Sequence, residues 1–138
     1  MDLSKIIDIA AAIITDQDGQ VLLVRKQNSI YFMQAGGKIE REEKPIQALI
    51  RKLHEELGLV TKPNELTYIS EYLMPAANEA NYHIRAHLFS IVIKNTIFTA
   101  QAELAEVGWY SVEQTRALIL APLTKEVILP FIEKNKPA

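Results

Sequence analysis

The sequence predicts one α/β domain over residues 1–138, a mixed β-sheet covered by helices. Three observations carry that expectation. Short apolar runs bounded by turn residues recur at residues 9–15, 21–26 and 82–94. One long amphipathic stretch, Pro45 to Leu57, crosses between them. No internal repeat, low-complexity tract or linker divides the 138 residues, which suffice for one domain with its own core.

Residues 9–15 (IAAAIIT) suit a buried strand. Asp16 to Gly19 (DQDG) is a turn signal, and residues 21–26 (VLLVRK) return as a second strand, giving an expected hairpin. Tyr31, Phe32 and Met33 form a short extended lead into a Gly36-Gly37 loop. The helix follows. Pro45 fits its first turn, where the missing N–H costs nothing. Glu42 and Glu43 lie near its positive end, and Gly58 is a natural stop. Ile46, Leu49, Ile50, Leu53 and Leu57 recur at helical spacing as a core stripe. At about 100° per residue, Lys52, Glu55 and Glu56 fall on a neighbouring arc roughly 100° wide. Ala48 leaves that arc open, and Arg51 stands one turn before Glu55, at pairing distance.

Beyond the helix, Lys62-Pro63-Asn64 marks a loop. Residues 66–74 read as a strand, 75–81 as a polar connection, and 82–94 (YHIRAHLFSIVIK) as a long strand that becomes apolar on both faces. Residues 99–106 read as a loop bearing Glu103 and Glu106, followed by a short strand over 107–111 (VGWYS). Ser111 caps a turn of helix over 112–118, with Glu113 in its first turn. Pro122 interrupts the stretch that follows. Thr124 caps a last helix over 125–134, which Pro130 must kink or shorten.

Composition removes several classes of function. Hydrophobic content of 49% and charged content of 23% are those of an ordinary globular protein. A net charge of −2 gives no electrostatic case for a nucleic-acid polymer or an anionic membrane as partner. With no cysteine, disulfides, thiolate metal sites and a thiol nucleophile are excluded. The first apolar run is short and broken by Asp8, unlike a signal peptide, and no run approaches the roughly 20 residues that span a bilayer. The expected location is cytoplasmic. Apolar surface left exposed on the N-terminal strands or after Leu118 would support a homodimer.

The adjacent carboxylates Glu55 and Glu56 carry the chemistry. Carboxylates grouped on a helix below a glycine loop suit a hard, oxygen-liking cation such as Mg²⁺. Glycine lets a backbone carbonyl approach as a further ligand. Mg²⁺ keeps waters and takes the rest of its shell from substrate phosphates. Cation, phosphate and activated water together give phosphoanhydride hydrolysis.

The spacing adds to this. Gly37 is followed after five residues by Glu43, after seven more by Arg51, and then by Leu53, Glu55-Glu56, Gly58 and Leu59. This resembles the Nudix box, G-x5-E-x7-R-E-U-x-E-E-x-G-U with U aliphatic, at every specified position but one. The resemblance covers essentially the whole chain and is closest to small MutT-like members. It implies a Nudix-type α/β/α sandwich with a mixed sheet. It also implies Mg²⁺- or Mn²⁺-dependent hydrolysis of a nucleoside diphosphate linked to another group, with a nucleoside triphosphate as leading substrate class. By the same resemblance Glu55, Glu56, Glu103 and the Gly37 carbonyl hold the metal. Glu43 and Arg51 brace the loop and helix through a salt bridge. Arg25 contacts the substrate phosphates, with Lys38 adding charge nearby. Glu106 competes with Glu103 for the role in the later loop.

One position departs. Where the family has the first glutamate of R-E-U-x-E-E, this chain has Lys52. That glutamate is a metal ligand or general base in MutT-like enzymes. A protonated lysine binds no Mg²⁺, and with a reference pKa of about 10.4 it is a poor base near neutrality. Three consequences are open. Glu103 or Glu106 acts as the base, Lys52 binds substrate phosphate directly, or the site is impaired and the chain is a nucleotide-binding module. A smaller departure is Ala35, where the family often has proline. His83 and His87 share a strand face, but their backbones lie about 13 Å apart, too far for easy joint ligation of one metal. His54 reads as solvated, Trp109 and Tyr110 as packing residues. Tyr31, Phe32 and Tyr82 are the aromatics available to stack on a base.

Overall fold

The computed structural model describes residues 2–135; Met1 and residues 136–138, the ends of the expected domain, lie outside the described residues. The strands are β1 (Ile6–Thr15), β2 (Val21–Lys26), β3 (Phe32–Met33), β4 (Ala35–Lys38), β5 (Thr67–Pro75), β6 (His83–Val92) and β7 (Leu104–Tyr110). The helices are α1 (Pro45–Leu57), α2 (Val112–Thr115) and α3 (Leu129–Lys134), with a π-helical turn at Thr124–Ile128 leading into α3.

The strands form one mixed sheet in the order β3-β2-β1-β6-β5, with β4 added to β1 and β7 to β2. β1 and β6 run parallel over their full lengths, from Ile6 beside His83 to Thr15 beside Val92. β1 is apolar because both its faces are covered. Ala10, Ala12 and Ile14 belong to a core shared with Leu49, Leu53 and Leu57 of α1. Ala11 and Ile13 belong to a second core with Leu123, Ile128, Leu129 and Ile132 of the C-terminal helices. Helices therefore cover both faces of the mixed sheet, as expected for an α/β sandwich.

Four details differ from the sequence reading. The expected β1–β2 hairpin closes only at its base, where Thr15 pairs with Val21. Beyond it β2 pairs with β7, while β4 takes the β1 edge from Ile9 to Ala12. The expected glycine loop is thus a strand. Gly36 crosses β1 so closely that a Cβ there would stand 2.2 Å from the Ala10 carbonyl oxygen, and its φ of +145° is open only to glycine. Glu106 lies within β7, and only Glu103 remains in the preceding turn. The last helix yields to Pro130 by widening, since the Leu129 N–H donates to the Thr124 carbonyl five residues back. Among the described residues no helix is long and apolar enough to cross a membrane.

Candidate active site

The floor of the site is set by how α1 meets β4. The sequence places Ala48, Lys52 and Glu56 on an open arc, but in the structure this row turns toward the sheet. Ala48 is fully buried and Glu56 is 1% exposed. The reason is the glycine pair: a Cβ on Gly37 would stand 2.2 Å from Lys52 Cε. The bare backbone of β4 lets the lysine stem lie where a side chain would otherwise be.

Around this row the charged groups sort into two sets. Arg51 is a brace. Its Nε and one terminal nitrogen donate to the two Glu43 oxygens at 2.8 and 2.9 Å. The same terminal nitrogen reaches the Lys38 carbonyl at 3.2 Å, and the other donates to Glu55 at 3.1 Å. The Arg51 hydrogen bonds, helped by the Glu40 backbone N–H, hold the Glu43 carboxyl down at about 2. Glu43 in return raises the Arg51 guanidinium. One fork thus fixes α1 to the loop between β4 and the helix.

Lys52 forms the second set. Its Nζ lies 3.2 Å from Glu103 Oε1 and 3.8 Å from Glu55 Oε2. The bond to Lys52 holds the Glu103 carboxyl below its ordinary range, assisted by the charges of Lys26 and Lys38. Glu56, adjacent to Glu55 in sequence, occupies a different environment. Its Oε1 accepts a long bond from the Gly36 N–H at 3.3 Å, while the buried Oε2 has no partner among the described residues. Burial pushes this carboxyl up to about 7, against the pull of the Lys52 charge.

A cleft of about 480 Å³ opens above these groups, lined in part by Lys26, Lys38, Arg51, Lys52 and Glu103. Lys26, Gly37, Lys38, Asn78 and Glu79 also line a narrower, largely apolar slot of about 90 Å³. Met33, Ile84 and Pro122 contribute to the slot walls, and Gln34 supplies a polar group. The Gln34 side-chain oxygen accepts from the buried Thr124 hydroxyl at 2.8 Å.

These features can be matched to known proteins. The NUDIX domain model matches residues 6–131. The chain belongs to the Nudix family. Among its relatives, a CTP pyrophosphohydrolase from Escherichia coli strain K12 is 35% identical over 134 residues, 93% of each chain. An 8-oxo-dGTP diphosphatase from Haemophilus influenzae is 42% identical over 66 residues, 45% of this chain and 48% of that one. The solution structure of the E. coli ORF135 protein superposes with a TM-score of 0.66 at 28% identity, covering 96% of this chain and 91% of that one.

Within the Nudix fold, the expected site residues are not all brought together. Lys38, Arg51, Lys52 and Glu103 line the cleft with Gly37, but Arg25 does not. Arg25 stands opposite Glu106 across β2 and β7. Two of its nitrogens donate to Glu106 Oε1 at 2.7 and 2.9 Å and a third to the Ser29 carbonyl at 2.8 Å. Strand register pairs Arg25, the expected phosphate contact, with Glu106, the expected competitor of Glu103, and neither lines the cleft. Its neighbour Lys26 is the β2 cation in the cleft, and strand alternation was the signal for it. Gln34 and Asn78 come from separate segments and had no local signal. Of the candidate base-stacking aromatics, Phe32 packs edge-on against Tyr110 in the second core, ring centroids 5.9 Å apart.

Nudix proteins generally use divalent metals. Among the described residues no three acidic or imidazole side chains converge as a ready-made metal site. Of the expected set, Glu103 and Glu55 both lie against the Lys52 ammonium, at 3.2 and 3.8 Å. The fit to a cation rests on Glu56 Oε2, a buried carboxylate oxygen with no partner among the described residues.

Proposed function

We propose that this Nudix protein is a pyrophosphohydrolase that cleaves a phosphoanhydride bond of a nucleoside triphosphate. The observation that carries the reading is the continuity of the two cavities. The slot walled in part by Met33, Ile84 and Pro122 shares Lys26, Gly37 and Lys38 with the cation-lined cleft. Resemblance to a CTP pyrophosphohydrolase along nearly the whole chain supports the same substrate class.

In this reading Lys26 and Lys38 take the phosphate chain and Gln34 meets the base edge. Glu56 Oε2 and the Gly37 carbonyl would hold Mg²⁺ or Mn²⁺, with Glu55 as a further ligand once released from its present partners. A cation there would polarise phosphoryl oxygens and lower the pKa of a bound water. Of Glu55, Glu56, Glu103 and Glu106, only Glu103 lines the cleft, so it is the candidate base. Its carboxylate takes a proton from water as the water oxygen bonds to phosphorus and the bridging oxygen leaves with the departing phosphate. Arg51 and Glu43 act by holding the loop.

The test is a turnover screen of pure protein with CTP, the other nucleoside triphosphates, 8-oxo-dGTP and ADP-ribose, each with Mg²⁺ and with Mn²⁺. Release of phosphate or pyrophosphate from a triphosphate is the expected outcome. Measurable nucleotide binding with no release from any of them would replace the enzyme by a binding module.

A further inference from the structure

We propose that the Lys52 ammonium is a built-in cation of this site: it sits against Glu103 and Glu55, carboxylates that would help hold a metal, and it binds the substrate's phosphate chain. The inference rests on the hydrolase reading for its substrate but on this chain's own residues for its geometry. The lysine is held in place rather than loose. Its side chain is 14% exposed, and its stem fills the space left by the missing Cβ of Gly37. From there one charge faces three carboxylates, bonding Glu103, approaching Glu55 and acting at longer range on Glu56. These are the carboxylates that a divalent cation would need.

Two features make the contact with Glu103 exchangeable. Glu103 is half exposed, and an ion pair so hydrated is weak. Neither partner is stranded by its loss, because Lys52 also approaches Glu55 and Glu103 lies near Lys26 and Lys38. The cleft beyond is built for an anion. Lys26, Lys38, Arg51 and Lys52 line it against Glu40, Glu79 and Glu103. A phosphate chain entering it meets Lys52 as a point charge and takes the place of Glu103 on Nζ. The freed carboxylate is the one assigned above as base.

The probe is inorganic tripolyphosphate in EDTA, followed by calorimetry, so that neither base identity nor turnover enters. Native protein binds it, and Lys52→Gln and Lys52→Met each weaken binding by about tenfold or more, the loss expected for one charge-assisted contact. With Mn²⁺ alone, Lys52→Glu binds about tenfold or more tightly than native protein, since a repelling charge becomes a ligand. In native protein, tripolyphosphate protects Lys52 from acetylation, read by mass spectrometry, which needs no variant to fold. Failure of native protein to bind the probe overturns the inference. So do unchanged affinity in the folded Gln and Met variants, equal Mn²⁺ affinity, or unprotected Lys52. Absence of nucleotide turnover with these binding results intact would count against the hydrolase reading alone.

Discussion

Two ion pairs tie the segment from Glu103 to Glu106 to the rest of the fold, and they differ in kind. Arg25 grips Glu106 with two nitrogens on one oxygen, and its third nitrogen is spent on a backbone carbonyl. Lys52 meets Glu103 through one contact of 3.2 Å, at the wall of the cleft. The first pair is locked by strand register, with Arg25 and Glu106 directly opposed. The second is supported by α1 on one side and on the other by a turn in which Ala102 takes a φ of +55°. In sequence both pairs are a cation and a glutamate far apart. In the fold one fastens β7, and the other can change partners without disturbing a strand.

That contrast can be broken or sharpened by measurement. The largest expected effect concerns Glu56, which lies behind the Lys52 pair. Its folded-state pKa, about 7, exceeds its ordinary value of 4.5. Between those values the folded state holds a proton that the unfolded chain has released, so stability falls as pH rises from 4.5 to 7 and then levels. For a shift of that size the fall is about 3 kcal/mol. Urea unfolding in EDTA should show it, and Glu56→Gln should flatten the profile across that window. A native profile already flat there would mean that Glu56 is hydrated.

Smaller effects separate the two pairs directly. Arg25→Gln removes four hydrogen bonds, three of them shorter than 3.0 Å, and leaves Glu106 half exposed, so unfolding free energy should drop by about 1 kcal/mol. Lys52→Gln removes a weaker contact and relieves no strand of its partner, so the loss should stay within about 0.5 kcal/mol. Equal losses from the two variants would erase the distinction between a fixed pair and an exchangeable one.

Much of this arrangement was legible in the sequence, and the failures share a cause. The apolar spacing of Leu49, Leu53 and Leu57 gave the helix and its buried side, because a helical stripe is a local property. The unbroken run from Ala10 to Ile14 gave a strand covered on both faces for the same reason. The row Ala48, Lys52 and Glu56 was misplaced, because its burial depends on Gly36 and Gly37 pairing with Ala11 and Ala10, far from Glu56 in sequence. A glycine pair read alone gives a loop; read against an alanine-rich strand it gives a close-packed edge over which a lysine can lie. The neighbours Arg25 and Lys26 could have been told apart by alternation, but only Glu106 opposite decides which of them is occupied. Gln34 and Asn78 enter the cavities through tertiary contacts that no spacing encodes.

The most direct test of the account compares steady-state hydrolysis of CTP with Mg²⁺ by Glu103→Gln and Glu106→Gln against native protein. If Glu103 is the base in the cleft and Glu106 the fastener of β7, Glu103→Gln should lower kcat by about 100-fold or more, the scale of general base catalysis. Glu106→Gln should keep kcat within a few-fold while lowering the melting temperature. The account would be contradicted if Glu106→Gln lost as much activity as Glu103→Gln, or if Glu103→Gln turned over CTP at the native rate.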